Sequence, residues 1–399
     1  MTKTAIMKTY KSPLTVYVIW HPAFEQGEKF ANAIYSTFCR DIANPLSRGI
    51  NIPVFYRSES FEDNTPIEIP YNESDMNALI ILVDEKMFED DNWRKYIRTL
   101  SKGKPDNTRL FPIALSQYAY HIDEKVLGKN QFIKADEMVG SDSSDLFTKQ
   151  WRMIKSRLLH DLSRQLLNLN SFYKANKSDD PPVTLFLSHA KKDGELLATQ
   201  FRDHIESNTK LNTFFDANDI ADGHNFEVQI KENAENSALI VFQSDEYSNR
   251  EWCRIEVITA KRFMAPIVLV HDIKKGEKRT FPYLGNAPSV KWENNIDEII
   301  DLTLLQVLSK YFNAAKLNKY IEQYNLEDKH SCLPLSKPPE LFNYIDIEKM
   351  KKKEKNNKPY LVLYPDPPLG IEELNLLNDV DDKIEFITPI LLPSYLNQK

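Results

Sequence analysis

The 399-residue sequence is poor in cysteine, in long apolar runs and in net positive charge, and each shortage removes a class of protein. Its three cysteines, Cys39, Cys253 and Cys332, lie far apart and form no Cys-x-x-Cys pair. Such an odd, scattered set indicates neither a disulfide framework nor a zinc site and suits a reducing compartment, so no metal is expected. Apolar runs such as Ala78 to Val83 are far shorter than the roughly 20 residues of a membrane-spanning helix, and no membrane partner is expected. The first residues include Lys3 and Lys8 but no apolar signal segment, which makes a cytoplasmic location the expectation. With 51 Lys and Arg against 58 Asp and Glu the net charge is -7, leaving no overall basic field for phosphates. Nucleic acid is therefore not an expected partner of this chain.

Hydrophobic residues make up 42% and aromatics 11%, enough to fold, and the length suits two or three domains. Short apolar segments, Thr15 to Trp20, Ile52 to Tyr56, Ala78 to Val83 and Leu110 to Leu115, alternate with helical patterns such as Phe30, Ile34, Phe38 and Ile42. Buried parallel strands look like this, and their alternation with helices implies a parallel α/β sheet. A helix carrying Trp151, Ile154, Leu158, Leu162 and Leu166 follows, and a polar stretch with Pro181-Pro182 ends it.

The pattern then repeats. Strands are expected at Val183 to Leu187, Thr213 to Asp216, Ala238 to Gln243 and Pro266 to Val270, with helices at Phe226 to Asn236, from Trp252, and from Ile296 to Phe312. An internal duplication is the simplest reading. The expected division is 1–145, a connecting helix and linker over 146–180, a second α/β domain over 181–313, and a C-terminal part over 314–399. That last part should hold a helix at Leu317 to Tyr324 and one small βαβ-like unit, too small to fold alone and so docked on another domain. Its charge run, Lys349 to Lys355, is most simply a solvated face, with a phosphate-binding patch as the lesser reading.

Three segments of the second domain carry chemistry: Phe186-Leu187-Ser188-His189-Ala190-Lys191-Lys192-Asp193, the stretch Phe214 to Phe226, and Ser244-Asp245-Glu246-Tyr247-Ser248-Asn249-Arg250-Glu251-Trp252-Cys253-Arg254-Ile255-Glu256. In an open α/β sheet, ligands bind outside the strand C-termini, where the first segment lies. Ser188 and Asp193 there read equally as caps of the next helix, the simpler account of Asp193. In order and spacing these segments resemble the TIR family. The resemblance covers about a third of the chain well and the first region faintly. It implies a flavodoxin-like, five-stranded parallel sheet, duplicated in this chain.

In NAD-cleaving members of that family a glutamate follows a tryptophan by four residues at the start of the active-site helix, and Trp252 and Glu256 have that relation. One helical turn is expected to put both on the same face. The resemblance implies a catalytic role for Glu256 and substrate-binding roles for Ser188, His189, Lys191, Asp216, Asp219, Phe226, Ser244 and Trp252. Read without it, Glu256 is an exposed helix residue paired with Arg254 or Lys261, Trp252 is either core packing or a stacking surface, Tyr247 is at least as readily packing as a site residue, and Cys253 is a buried small hydrophobe. Asp222 and Gly223 suit a plain turn.

A lone carboxylate suits NAD. Its nicotinamide is already a cationic leaving group, so no general acid is needed, and what must be stabilised is positive charge on the ribose. NAD is then a substrate, not a cofactor. The resemblance further implies self-association of TIR domains, a possible sensor partner, and a role as an effector of bacterial antiphage defence. Two other functions fit the same residues: a non-enzymatic TIR adaptor acting by homotypic assembly, and an enzyme like the nucleoside deoxyribosyltransferases. In the first region the position four after Trp93 is Ile97, so that domain cannot use the same carboxylate and suits sensing, assembly or regulation.

Overall fold

The computed structural model describes residues 10–44, 49–58, 66–122, 127, 132–136, 146–172, 183–209, 211–215, 237–277, 281–353, 358–381 and 383–398. The chain divides into two compact units, residues 1–158 and 159–399.

In the first unit, β1 (Ser12–Trp20), β2 (Val54–Arg57), β3 (Ser74–Val83), β4 (Thr108–Ala114) and β5 (Ile133–Lys134) form one sheet in the order β2-β1-β3-β4-β5. All four pairings are parallel. Every residue of β1 is buried, as a central strand covered on both faces requires. Helix α1 (Gly27–Phe38) buries Phe30, Ala31, Ile34 and Phe38. It stops at Phe38, so Ile42, expected on the same face, is exposed. The cause is the returning chain: the Asn51 and Ile52 amides donate to the Cys39 and Phe38 carbonyls, which a longer helix would use internally.

Helices α2 (Glu85–Glu89) and α3 (Asp91–Gly103) are N-capped by Asp84 and Asp90, whose carboxylates accept from the amides two and three residues on. Trp93, Ile97 and Leu100 form the buried stripe of α3. The long helix α4 (Leu146–Phe172) crosses the division between the units, where a connecting helix was expected.

In the second unit, β6 (Thr184–His189), β7 (Asn212–Phe215), β8 (Ser237–Gln243), β9 (Ile267–His271) and β10 (Ser289–Lys291) form a sheet in the order β10-β9-β8-β6-β7, again parallel throughout. Numbered within each unit, both sheets run 2-1-3-4-5, the doubly wound flavodoxin-like order. Helix α5 (Glu195–Asn208) follows β6, and α6 (Glu251–Arg262) lies between β8 and β9. The edge strands β5 and β10 were not anticipated, because two- and three-residue strands with exposed positions carry no apolar run. The helix expected at Phe226 to Asn236 lies outside the described residues.

The C-terminal part differs from expectation in two ways. Helix α7 (Ile296–Gln323) does not end at Phe312 but continues unbroken, since Ala315, Leu317 and Ile321 extend its buried stripe. Beyond it lies a three-stranded parallel sheet, β11 (Ser331–Pro334), β12 (Tyr360–Leu363) and β13 (Ile384–Ile387), rather than one βαβ unit. Helices α8 (Leu341–Lys353) and α9 (Ile371–Val380) make its crossovers, and α10 (Leu392–Gln398) ends the described chain. β11, only four residues ending in Pro334, was too short to announce itself. This part docks on α6: the Lys261 ammonium sits 3.0 Å from the Glu340 carboxylate, and Met264 packs against the cluster around Ile347, Tyr360 and Val362.

Candidate functional site

The apolar strands β6 and β8 lie side by side, with Ser188 opposite Val241 and His189 opposite Phe242. Ser188 and His189 therefore sit at the carboxyl end of a fully buried strand, where backbone pairing fixes them. The 3-10 turn Tyr247–Asn249 leads into α6, whose Cys253, Val257 and Ala260 pack with Phe186, Leu239, Val241 and Tyr247. That packing sets the rotation of the helix and turns Glu256 inward.

Glu256 is 5% exposed. Its Oε2 accepts a hydrogen bond from the Ser188 hydroxyl, and Ser188 Oγ lies 2.6 Å from the Tyr247 hydroxyl. The Tyr247 hydroxyl is also 3.4 Å from the Cys253 carbonyl, and the Cys253 thiol donates to the His189 carbonyl at 3.5 Å. A carboxylate taken out of water demands such donors, since burying it unpaired costs several kcal/mol or more. Burial pushes the Tyr247 phenol well above its ordinary range, and the Glu256 charge pushes it further. Tyr247 is therefore a neutral donor at physiological pH.

Around this buried trio, loops at the strand ends are tied together. Asp193 does not cap α5, whose N-cap is Gly194 with no side-chain bond. Its carboxylate instead accepts from Ser244 Oγ at 2.6 Å and from the Glu246 amide at 3.1 Å, a longer-range pairing that sequence cannot announce. Lys192 pairs with Glu246 at 2.7 Å. Asp245 accepts from the amides of Lys274, Lys275 and Gly276, and these bonds, led by that of Lys275, hold its carboxyl below the usual range. Glu277 accepts from Gln243 at 2.7 Å and from Ser248 at 2.5 Å. The rim after β6, β8 and β9 is thus cross-linked by carboxylates.

Of the expected site residues, Ser188 and Glu256 meet directly, and Ser244 joins the rim through Asp193. His189 is buried, with Nδ1 3.3 Å from the Leu187 carbonyl, and Lys191 is exposed. Asp216, Asp219 and Phe226 lie outside the described residues. Trp252 does not share the face of Glu256: it is 71% exposed, which also removes the core-packing account of its ring. Four residues at about 100° each leave the second side chain about 40° further round, and here the edge of the buried face falls within that gap. Glu256 is likewise no exposed partner of Lys261, which turns to Asn286 and Glu340. Cys253 is buried, as expected of a small hydrophobe.

Tyr247, left between packing and the site by the sequence, is the residue whose place only the structure settles. An aromatic just past an apolar strand looks like core, and Tyr247 is fully buried, but its hydroxyl lands on Ser188. Among the described residues, no three His, Cys, Asp or Glu side chains are grouped to hold a metal ion, and no helix is long and apolar enough to cross a membrane.

The strand order and the strand-end site define a doubly wound α/β domain. A family model described as TIR domain matches residues 185–300, and this segment of the chain is a TIR domain. Among solved structures, the chain is similar to the TIR domains of the activated Roq1 resistosome directly recognizing the pathogen effector XopQ, at 19% identity over 37% of this chain and 98% of that one, with a TM-score of 0.20. A tagatose-6-phosphate ketose/aldose isomerase from Escherichia coli matches at 8% identity over 77% and 83% of the two chains, with a TM-score of 0.23. Neither likeness is close enough to bear on function. No curated protein matches the chain.

Proposed function

We propose that the TIR domain cleaves the nicotinamide–ribose bond of NAD. The observation that carries this reading is Glu256, a carboxylate held inward at the carboxyl edge of the sheet by the Ser188 hydroxyl. The nicotinamide leaves with the electron pair of the glycosidic bond and becomes neutral, so no acid has to protonate it. The ribose left behind is an oxocarbenium-like cation, which a fixed carboxylate stabilises electrostatically. Water attacking the anomeric carbon and shedding a proton gives ADP-ribose, and attack by the substrate's own adenine, likewise with loss of a proton, gives a cyclised ADP-ribose. NAD is the substrate, and the exposed indole of Trp252 offers its rings a stacking surface. Ser188, His189, Lys191, Asp216, Asp219, Phe226 and Ser244 complete the proposed binding set.

Uncontrolled cleavage would drain a central cofactor, so the activity is proposed to await self-association of TIR domains or a sensor partner, in a cytoplasmic effector of bacterial antiphage defence. The first unit is proposed to be a TIR-like copy that regulates rather than cleaves, since buried Ile97 stands four residues after Trp93. Chromatography of NAD products from the wild type and Glu256→Ala, at high protein concentration and in expressing cells, tests the reading. Wild-type chain should release nicotinamide, and the variant should lose turnover by orders of magnitude with its fold intact. Equal turnover in both, or none in either while signalling persists, returns the chain to the adaptor class.

A further inference from the structure

The two units of the chain use the same sheet order and fill two equivalent core positions with opposite chemistry. Each has an Ala-Leu-Ile run in its third strand, 78–80 and 238–240, and the register places Val16 opposite Ala78 and Leu185 opposite Ala238. Three residues further along the first strand stand Ile19 and Ser188. Four residues beyond the end of β3 and of β8 stand Met87 and Tyr247. In the first unit Ile19 and Met87 are fully buried in a single apolar cluster. At these two positions the fold closes its core without polar groups, so the Ser188 and Tyr247 hydroxyls of the second unit stand where packing does not require them.

Within the trio of Tyr247, Ser188 and Glu256 the direction of each bond follows from proton counting. An ionised carboxylate only accepts, so the one proton of Ser188 goes to Glu256. Ser188 Oγ must then accept from Tyr247, 2.6 Å away, in preference to the Cys253 carbonyl, which at 3.4 Å is a poor acceptor for the single phenolic proton. The result is a relay of donors, Tyr247 to Ser188 to Glu256, each polarising the next. We propose that Tyr247 is a positioning residue for Glu256, acting through Ser188. The Tyr247 side chain is fully buried. Its phenol holds the serine hydroxyl in the rotamer that aims the carboxylate, and the phenol is itself held by the packed cluster around it.

This proposal rests on the NAD-cleavage reading, and the experiment separates the two. Steady-state NAD turnover and thermal unfolding are measured for wild type, Tyr247→Phe, Ser188→Ala, Ser188→Thr and Glu256→Ala, together with a crystal structure of Tyr247→Phe. Tyr247→Phe should lower kcat about 10- to 100-fold with KM within about twofold, the scale of a mispositioned group, at an unchanged unfolding midpoint. Ser188→Ala should lower kcat on the same scale, and Ser188→Thr, which restores a hydroxyl, should recover most of the rate. Wild-type kcat in Tyr247→Phe beside an inactive Glu256→Ala overturns the relay and leaves the cleavage reading standing. If wild type and Glu256→Ala are equally silent in cells, the cleavage reading fails and the coordinates decide: a Ser188 hydroxyl released from Glu256 in Tyr247→Phe upholds the positioning role, and an unmoved pair overturns it.

Discussion

Glu340→Ala should destabilise the second unit more than any ordinary surface substitution, because it strands a buried ammonium. The Lys261 side chain is 4% exposed at the end of α6, and Nζ reaches both oxygens of Glu340 at 3.0 and 3.1 Å as well as Asn286. Asn286 closes the set by donating to Glu340 at 2.9 Å. Burial pulls the Lys337 ammonium below its usual range, and the Glu340 charge opposes that shift. Breaking a buried ion pair from one side costs about 3–5 kcal/mol. Glu340 is 21% exposed and Asn286 remains, so water relieves part of that loss and about 2–3 kcal/mol is expected. In a unit of this size each kcal/mol moves the midpoint by about 2–4 °C, so calorimetry of the full chain should show its transition fall by about 5–10 °C. Replacing both partners, Lys261→Met with Glu340→Leu, should recover most of the loss, since matched apolar groups substitute for such pairs at little cost. A midpoint within about 1 °C of wild type in Glu340→Ala, or strictly additive single effects in the double variant, would refute the coupling.

Three further outcomes follow from particular residues. Because amides of Lys275, Gly276 and Lys274 hold the Asp245 carboxyl below its unfolded value, its contribution is complete above pH about 4 and is lost as pH falls through the folded value; hydrogen-exchange protection at 274–276 should drop in acid, and Asp245→Asn should remove that dependence. Trp252→Ala should leave the stability within about 0.5 kcal/mol of wild type while raising KM for NAD, and marked destabilisation would contradict the exposed ring. Burial pushes the Cys332 thiol up to about 11, and Cys39 and Cys253 are buried, so native chain at neutral pH should show no fast-reacting thiol to a disulfide reagent, whereas unfolded chain shows all three.

Period and length in the sequence suffice for the central strands. β1, β3, β6 and β8 are apolar and buried on both faces, so their residues announce them; β5, β10 and β11 are short and edge-like and do not. The continuous α7 was missed at Asn313, a polar residue that bonds to the Ser336 carbonyl of the C-terminal part, a partner that local pattern cannot supply. The spacing from Trp252 to Glu256 put both side chains on one helix face, and the structure parts them, because a four-residue step fixes angles and not where the core ends.

The sequence alone determined the repeated parallel α/β plan and the residue types at the strand ends, since both depend on side-chain periodicity within a few turns of chain. Only the tertiary structure decided that Glu256 faces Ser188 and Tyr247 rather than Lys261, and that Asp193 ties two loops instead of capping a helix. Those outcomes depend on residues dozens of positions apart meeting at the carboxyl edge of one sheet. Their energies come from desolvation and hydrogen-bond geometry, which exist only once the core has closed.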